Sequence, residues 1–164
     1  MAFAPNPRIL SCGDKGIPHI VDILEANSQS FKAGQLVFDA GASANGQATV
    51  WAESGSNPVL GIAQVDATNV SSGNINIPVE VIKPGDRVAI QCYDTSDAAK
   101  KAASNFLKGK SYGLVIASNV CYLDFDETTA DVAVFIEPLD STNLPYWAIV
   151  QFLPAVLQHT GIGV

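Results

Sequence analysis

The stretch from residue 31 to residue 91 decides the fold, and its successive segments read FKAGQLVFDAG (31–41), ATVWAES (48–54), PVLGIAQVDAT (58–68) and INIPVEVIKPGDRVAIQ (75–91). Short runs rich in Val, Ile, Leu and Phe alternate there with turns rich in Gly, Asn, Ser and Pro. A strand about every ten residues, separated by such turns, is typical of small all-β domains. The stretch therefore predicts a small antiparallel β-barrel or sandwich.

Details inside this stretch predict how its strands are arranged. Residues 75–81 alternate strictly, which places the four odd-numbered residues on one face of a strand. Pro78 lacks an N–H group, so we expect this strand to lie at an edge or to carry a bulge. Gly61 within the strand before it predicts a bulge or a close backbone approach. KPGD (83–86) has turn chemistry, so we expect 87–93 to return as the partner strand of a hairpin.

Towards the N-terminus the β pattern stops. Residues 17–24 are the first predicted strand, and residues 1–16 are predicted to form an extended arm because their prolines and glycines disfavour regular structure. Such an arm is either frayed in solution or laid against a neighbouring molecule. The arm residues predicted to contact a partner are Phe3, Pro5, Pro7, Ile9 and Leu10.

Towards the C-terminus one short α-helix is predicted near 96–108, because alanines, Phe106 and Leu107 form an apolar stripe at helical spacing. Strands then resume, and the predicted ones are 112–117, 120–125, 132–137 and 146–152. A two-residue break at Ser118 and Asn119 predicts a hairpin between the first two.

The whole chain is thus predicted to be mainly β: a small antiparallel β-barrel or sandwich with one short α-helix and extended terminal arms. Its β-barrel domain spans 17–153. Residues 154–164 form a C-terminal tail, in which Leu157 and Ile162 are further candidate partner contacts.

Composition excludes several classes of protein. Among 164 residues, 48% are hydrophobic and 15% are charged, which excludes a disordered chain. The net charge of −7, without a run of Lys or Arg, argues against nucleic acid as a partner. The three cysteines do not form a disulfide framework and predict assembly in a reducing cytoplasm. No signal peptide or membrane span is expected, since the most apolar stretch, 147–157, is too short.

Candidate chemistry is sparse, and we predict no catalytic residue, cofactor or metal. The segment VCYLDFDETTAD (120–131) looks like the first motif of haloacid-dehalogenase-type phosphatases, in which Asp124 would be the nucleophile and Asp126 the general acid. The alternative reading is a polar turn between two strands. A calcium site formed with Asp131 is a third hypothesis. Exposure of Trp51 or Trp147 would favour a sugar-binding module instead.

Three segments carry a resemblance to a known family. FKAGQLV (31–37), PVLGIAQVDA (58–67) and VIKPGDRVA (81–89), with GKSYGLV (109–115) and YLD (122–124) after them, resemble the head-decoration, or capsid cement, proteins of tailed bacteriophages. The similarity covers roughly residues 17–152.

This resemblance implies a function without catalysis. It implies a structural virion protein on the outer capsid surface, made in the host cytoplasm, which stabilises the shell by bridging subunits of the major capsid protein. It also implies a homotrimer with arms that reach over neighbouring subunits, and no membrane or nucleic-acid partner. The alternatives are a tail or baseplate β-module, and a sugar-binding β-module on the virion.

Overall fold

A computed structural model of the chain describes residues 7–11, 18–40, 47–51, 58–69, 71–72, 75–94, 102–127, 130–140 and 146–158. These residues form strands and two short 3₁₀ turns, Ala103–Asn105 and Pro154–Val156, so the predicted mainly β fold is confirmed. The strands are β1 (Arg8–Ser11), β2 (Ile20–Leu24), β3 (Leu36–Asp39), β4 (Ala48–Val50), β5 (Gly61–Ala63), β6 (Asn76–Val81), β7 (Arg87–Tyr93), β8 (Ser111–Tyr112), β9 (Leu114–Ala117), β10 (Val120–Asp124), β11 (Ala133–Asp140) and β12 (Trp147–Phe152).

The first sheet has the order β8-β11-β12-β7-β10-β9, and β1 also pairs with β7. Its pairs are antiparallel except β7 and β10, which run parallel. Gly113 alone separates β8 from β9, so the two ends of the sheet are consecutive pieces of one segment, and the sheet nearly closes into a barrel. A Cβ atom at Gly113 would collide with the side chain of Glu127, which explains the glycine at this closure.

The second sheet is antiparallel throughout, in the order β2-β6-β5-β3-β4. A parallel bridge between Glu25 and Ala48 links the end of β2 to β4, at the opposite edge, so this sheet also curls onto itself. At Gly61 a Cβ atom would overlap the backbone oxygen of Glu80 and lie 2.9 Å from the Val81 Cα atom. The predicted close backbone approach at Gly61 is therefore confirmed.

Two apolar clusters stabilise this arrangement. The smaller one fills the second sheet, with Ile23, Val79 and Phe31 among its fully buried members. The larger one fills the barrel and extends to Leu36 and Ile62, on the other face of the second sheet. One continuous core therefore joins the two sheets.

The predicted hairpin between β6 and β7 is wrong. The KPGD turn forms as expected, since the N–H of Asp86 donates to the Lys83 oxygen over 3.1 Å and the Lys83 N–H donates to the Asp86 carboxylate over 2.8 Å. However, β6 belongs to the second sheet and β7 to the first. The turn is a corner between sheets, a distinction that local turn chemistry does not make.

The predicted edge position or bulge at Pro78 is also wrong, because β6 lies between β2 and β5 with a regular register. The missing N–H is tolerated since β5 ends at Ala63. Beyond that end, the N–H of Gln64 donates to the Pro78 oxygen over 3.0 Å.

The predicted α-helix near 96–108 is wrong in its described part, 102–108, which contains only the 3₁₀ turn; residues 96–101 lie outside the described residues. The backbone is extended at both ends of the turn, with ψ of 128° at Ala102 and 137° at Phe106. Tertiary packing explains the difference, because the Phe106 ring lies 4.8 Å from the Tyr112 ring in the barrel core. No helix among the described residues could cross a membrane.

Candidate partner-binding surface

The described part of the N-terminal arm lies on its own barrel. Strand β1 pairs with Arg87–Ala89 of β7, on the edge that β10 uses further along. Pro7 is buried and Ile9 packs against the barrel core, whereas Leu10 points outwards and is 40% exposed. Alternation along β1 thus leaves Leu10 as the arm's accessible apolar side chain among the described residues.

Arg8 also attaches β1 to the barrel, through a contact with Trp147 of β12. Its guanidinium carbon lies 5.7 Å from the centre of the buried Trp147 ring, which is cation–π distance. Such a contact contributes about 0.5–2 kcal/mol, depending on how far it is shielded from water. The strand is therefore held by its backbone pairs, by Ile9 and by this aromatic contact.

The described part of the C-terminal tail is held by the second sheet. Leu157 is only 4% exposed and forms a parallel bridge with Val59. The side chain of Gln158 forms both hydrogen bonds of the Asp39 backbone on this side of β3. Its Oε1 accepts the Asp39 N–H over 2.7 Å, and its Nε2 donates to the Asp39 oxygen over 2.8 Å. Leu157 is therefore committed to the core of its own chain.

The seven predicted contact residues thus have different positions. Leu10 is exposed; Pro7, Ile9 and Leu157 are wholly or partly buried within the chain; and Phe3, Pro5 and Ile162 lie outside the described residues. Sequence reasoning missed several exposed large apolar side chains, which are Ile20, Val65, Ile75, Leu107 and Leu139. Alternation predicted Ile75 on the buried face, but β6 begins one residue later, at Asn76.

A groove of about 250 Å³ lies where β1 meets the second sheet. Its apolar floor consists of Pro7, Ala33, Gly34 and Ile62, while Arg8, Gln64 and Glu80 also line it. Burial raises the pKa of the Glu80 carboxyl, and the nearby Asp86 carboxylate raises it further. The groove therefore combines an apolar floor with a carboxylate that is partly withdrawn from water.

The acidic motif forms the end of β10 and the turn after it. Asp124 is 7% exposed, and its Oδ1 accepts the N–H of Asp126 over 3.2 Å. Burial raises the pKa of Asp124, and the neighbouring carboxylates of Asp126, Asp94 and Glu127 raise it further. The segment is therefore a turn that is closed by a hydrogen bond between an aspartate side chain and the backbone, within a cluster of carboxylates.

The geometry does not supply the other requirements of the phosphatase hypothesis. That family places the motif at the start of a doubly wound α/β domain, whereas Asp124 ends a strand of the barrel-like sheet. Within the described ranges, no group of three or more His, Cys, Asp or Glu side chains is arranged to hold a metal ion. Thr128, which follows Asp126 in the same segment and would be the third residue of the phosphatase motif, lies outside them.

Other candidate groups are buried. Trp51 and Trp147, whose exposure would favour the sugar-binding hypothesis, both lie in the interior. Burial raises the pKa of Cys92 to about 12, which leaves its thiol protonated and unreactive at neutral pH. The Tyr93 and Tyr122 rings, 4.9 Å apart, are half-buried.

The chain matches no protein-family model, no curated protein and no solved structure.

Proposed function

We propose that this protein is a structural virion component that decorates a bacteriophage capsid and stabilises it by bridging major capsid protein subunits. One observation carries the proposal. The first two segments that resemble head-decoration proteins contain β3 and β5, which are direct neighbours in the second sheet, and the third forms the corner that leads from β6, the other neighbour of β5, into β7 of the first sheet. The resemblance therefore falls on strands of both sheets and on the corner that joins them, since its two later segments contain β8 and parts of β9 and β10.

The physical character of the surface supports this role. A cement protein works by adding buried area between shell subunits, and symmetry multiplies each modest contact. The chain has few charged residues, and Ile20, which is 56% exposed, and Ile75 present apolar surface on the second sheet. Such side chains provide area that a partner can cover.

The test is made on virions produced with and without the gene for this chain. We expect the protein on wild-type particles in numbers that match the capsid's symmetry positions. We expect particles that lack it to release DNA at a lower temperature, and purified protein to restore their heat resistance. Particles without the protein, or particles whose heat resistance does not depend on it, would overturn the proposal. A few copies per particle would favour the tail or baseplate alternative.

A further inference from the structure

The groove between β1 and the second sheet has a floor suited to an aliphatic chain. Ala33 is exposed and Gly34 is half-buried there, and the N–H of Gly34 donates to the Ala63 oxygen over 2.7 Å. Ala63 lines the groove with its backbone, because its side chain lies in the core on the other face of the sheet, so the accessible apolar surface comes from Ala33 and Gly34. Junctions between structural units are common positions for binding sites.

The Glu80 carboxylate lies at this groove and has no cation within ion-pair distance among the described residues. The Nε2 atom of Gln64 donates to the Glu80 carboxylate over 3.4 Å. Two basic side chains form ion pairs with other carboxylates: Lys32 binds Asp66 over 2.9 Å, and Arg87 binds Glu137 over 3.1 Å.

Arg8, which also lines the groove, is directed to another partner. Its guanidinium group lies over the Trp147 ring, in the first sheet. A carboxylate that is partly removed from water gains most from an added positive charge, because the surrounding medium screens the attraction less than bulk water. The groove thus presents an apolar floor together with a carboxylate that an external cation can neutralise.

We propose that this groove binds a lysine or arginine side chain of a partner protein, with the aliphatic stem on Ala33 and Gly34 and the charged end at Glu80. The net charge of −7 also favours a basic partner surface. Long basic side chains commonly bury their stems while their charged ends remain at polar groups. The inference rests on the proposed function for the partner, which would be the capsid shell, and adds the chemistry of one contact.

N-acetyl-arginine amide is the probe for the groove and is added to the purified full-length protein. Its binding is measured by the shifts of backbone amide signals in two-dimensional ¹H–¹⁵N NMR spectra. The uncharged N-acetyl-citrulline amide, of nearly the same shape, is the matched control probe. We expect the arginine probe to shift the amide signals of Gly34, Ala63, Gln64 and Glu80. We expect citrulline to bind about tenfold more weakly, as for the loss of a charge-assisted hydrogen bond.

Two variants separate the groove from general charge attraction. Glu80→Gln should weaken arginine binding about tenfold, as for the loss of one charge-assisted contact. Asp131→Asn removes the same charge from an exposed position next to the first sheet and should leave binding unchanged. Equal binding of both probes, no shift at the groove, or equal effects of the two variants would overturn the inference. A change in the protein's mass in solution caused by Glu80→Gln would assign the groove to a second copy and would also overturn it.

These results are independent of the virion experiment. Arginine binding by a protein that is not found on particles would leave the groove inference standing and would remove the proposed function. Decoration of particles by a protein that does not bind arginine would leave the proposed function standing and would remove the groove inference.

Discussion

Individual glycines set how closely neighbouring strands approach in this protein. Gly61 faces the backbone of β6 and Gly113 faces Glu127, and in both places a methyl group would overlap existing atoms. Gly109 is different, because its φ of +81° requires the left-handed region while the space around its Cβ position is open. The first two glycines are needed for space and the third for backbone conformation.

Gly61→Ala should therefore be much more damaging than Gly109→Ala. Overlap with a neighbouring backbone cannot be relieved by a side-chain rotation, so we expect Gly61→Ala to lower the free energy of unfolding by about 3 kcal/mol. Gly109→Ala, the matched control, should cost about 1 kcal/mol for its left-handed conformation. Urea denaturation of both variants measures the difference. Equal losses would show that β5 and β6 separate easily.

Asp124 is predicted to destabilise the fold when it is ionised. The pKa of Asp124 in the folded protein lies above its ordinary value, chiefly through burial. At a pH between the pKa of the unfolded chain and that of the folded protein, the folded state therefore binds more protons than the unfolded state. The free energy of unfolding should then fall as the pH rises through this window and stay reduced above it.

Asp124→Asn should remove this decrease and raise stability at neutral pH, since the amide oxygen can still accept the Asp126 N–H. Urea denaturation across a pH series checks the expectation. Asp131→Asn, at an exposed position beyond the turn, is the control for the charge change. A larger gain from the control would place the unfavourable charge outside the buried site.

At the scale of elements, the two ends of the described chain bind the two sheets in different ways. Strand β1 adds to the first sheet, and the segment after β12 adds to the second through Leu157 and Gln158. The paired hydrogen bonds between Gln158 and Asp39 occupy backbone groups at the end of β3. One amide side chain thus takes the place of a neighbouring strand.

Gln158→Ala should lower the free energy of unfolding by about 1–3 kcal/mol, because it leaves partly buried backbone groups of Asp39 without these partners. Gln151→Ala is the control, since Gln151 makes one exposed bond to the Gly85 oxygen, and we expect it to cost about 0.5 kcal/mol. Thermal unfolding measures both losses, and amide hydrogen exchange at Asp39 should be faster in Gln158→Ala alone. Unchanged exchange at Asp39 would contradict this role.

Sequence patterns predicted the elements far better than their pairing. Alternation located the strands of both sheets within a few residues, and the positive φ at Ser118 and Asn119 agrees with the predicted two-residue hairpin. Strand β1 was missed because a proline- and glycine-containing arm carries only a weak strand pattern. The 96–108 helix failed in its described part because packing of Phe106 outweighs the helical preference of alanine.

At the scale of the molecule, the larger apolar cluster contains residues of both sheets, and the chain carries a net charge of −7. The homotrimer that the resemblance implies would bring chains of like net charge together, so we expect apolar contacts to hold it. Leu10, on the outer side of β1, is the predicted arm contact that stays exposed among the described residues.

Light scattering should give a mass of three chains, and Leu10→Ser should shift it towards one chain while the circular dichroism spectrum of the folded protein stays the same. Leu107→Ser removes an apolar side chain that is 63% exposed elsewhere and should leave the mass unchanged. Equal effects of the two variants would indicate nonspecific association. A single-chain mass for the unchanged protein would mean that trimers do not form away from the capsid.

The sequence by itself determined most of the strand content, the turn at KPGD and the predominance of buried apolar side chains, because alternation and turn chemistry act over a few residues. The tertiary structure alone decided which strands are neighbours: the parallel pair of β7 and β10, the placement of β6 and β7 in different sheets, and the contact of Gln158 with Asp39. These pairings join positions far apart in the chain. Only packing of the complete core selects among them, since each strand pattern fits several partners equally well.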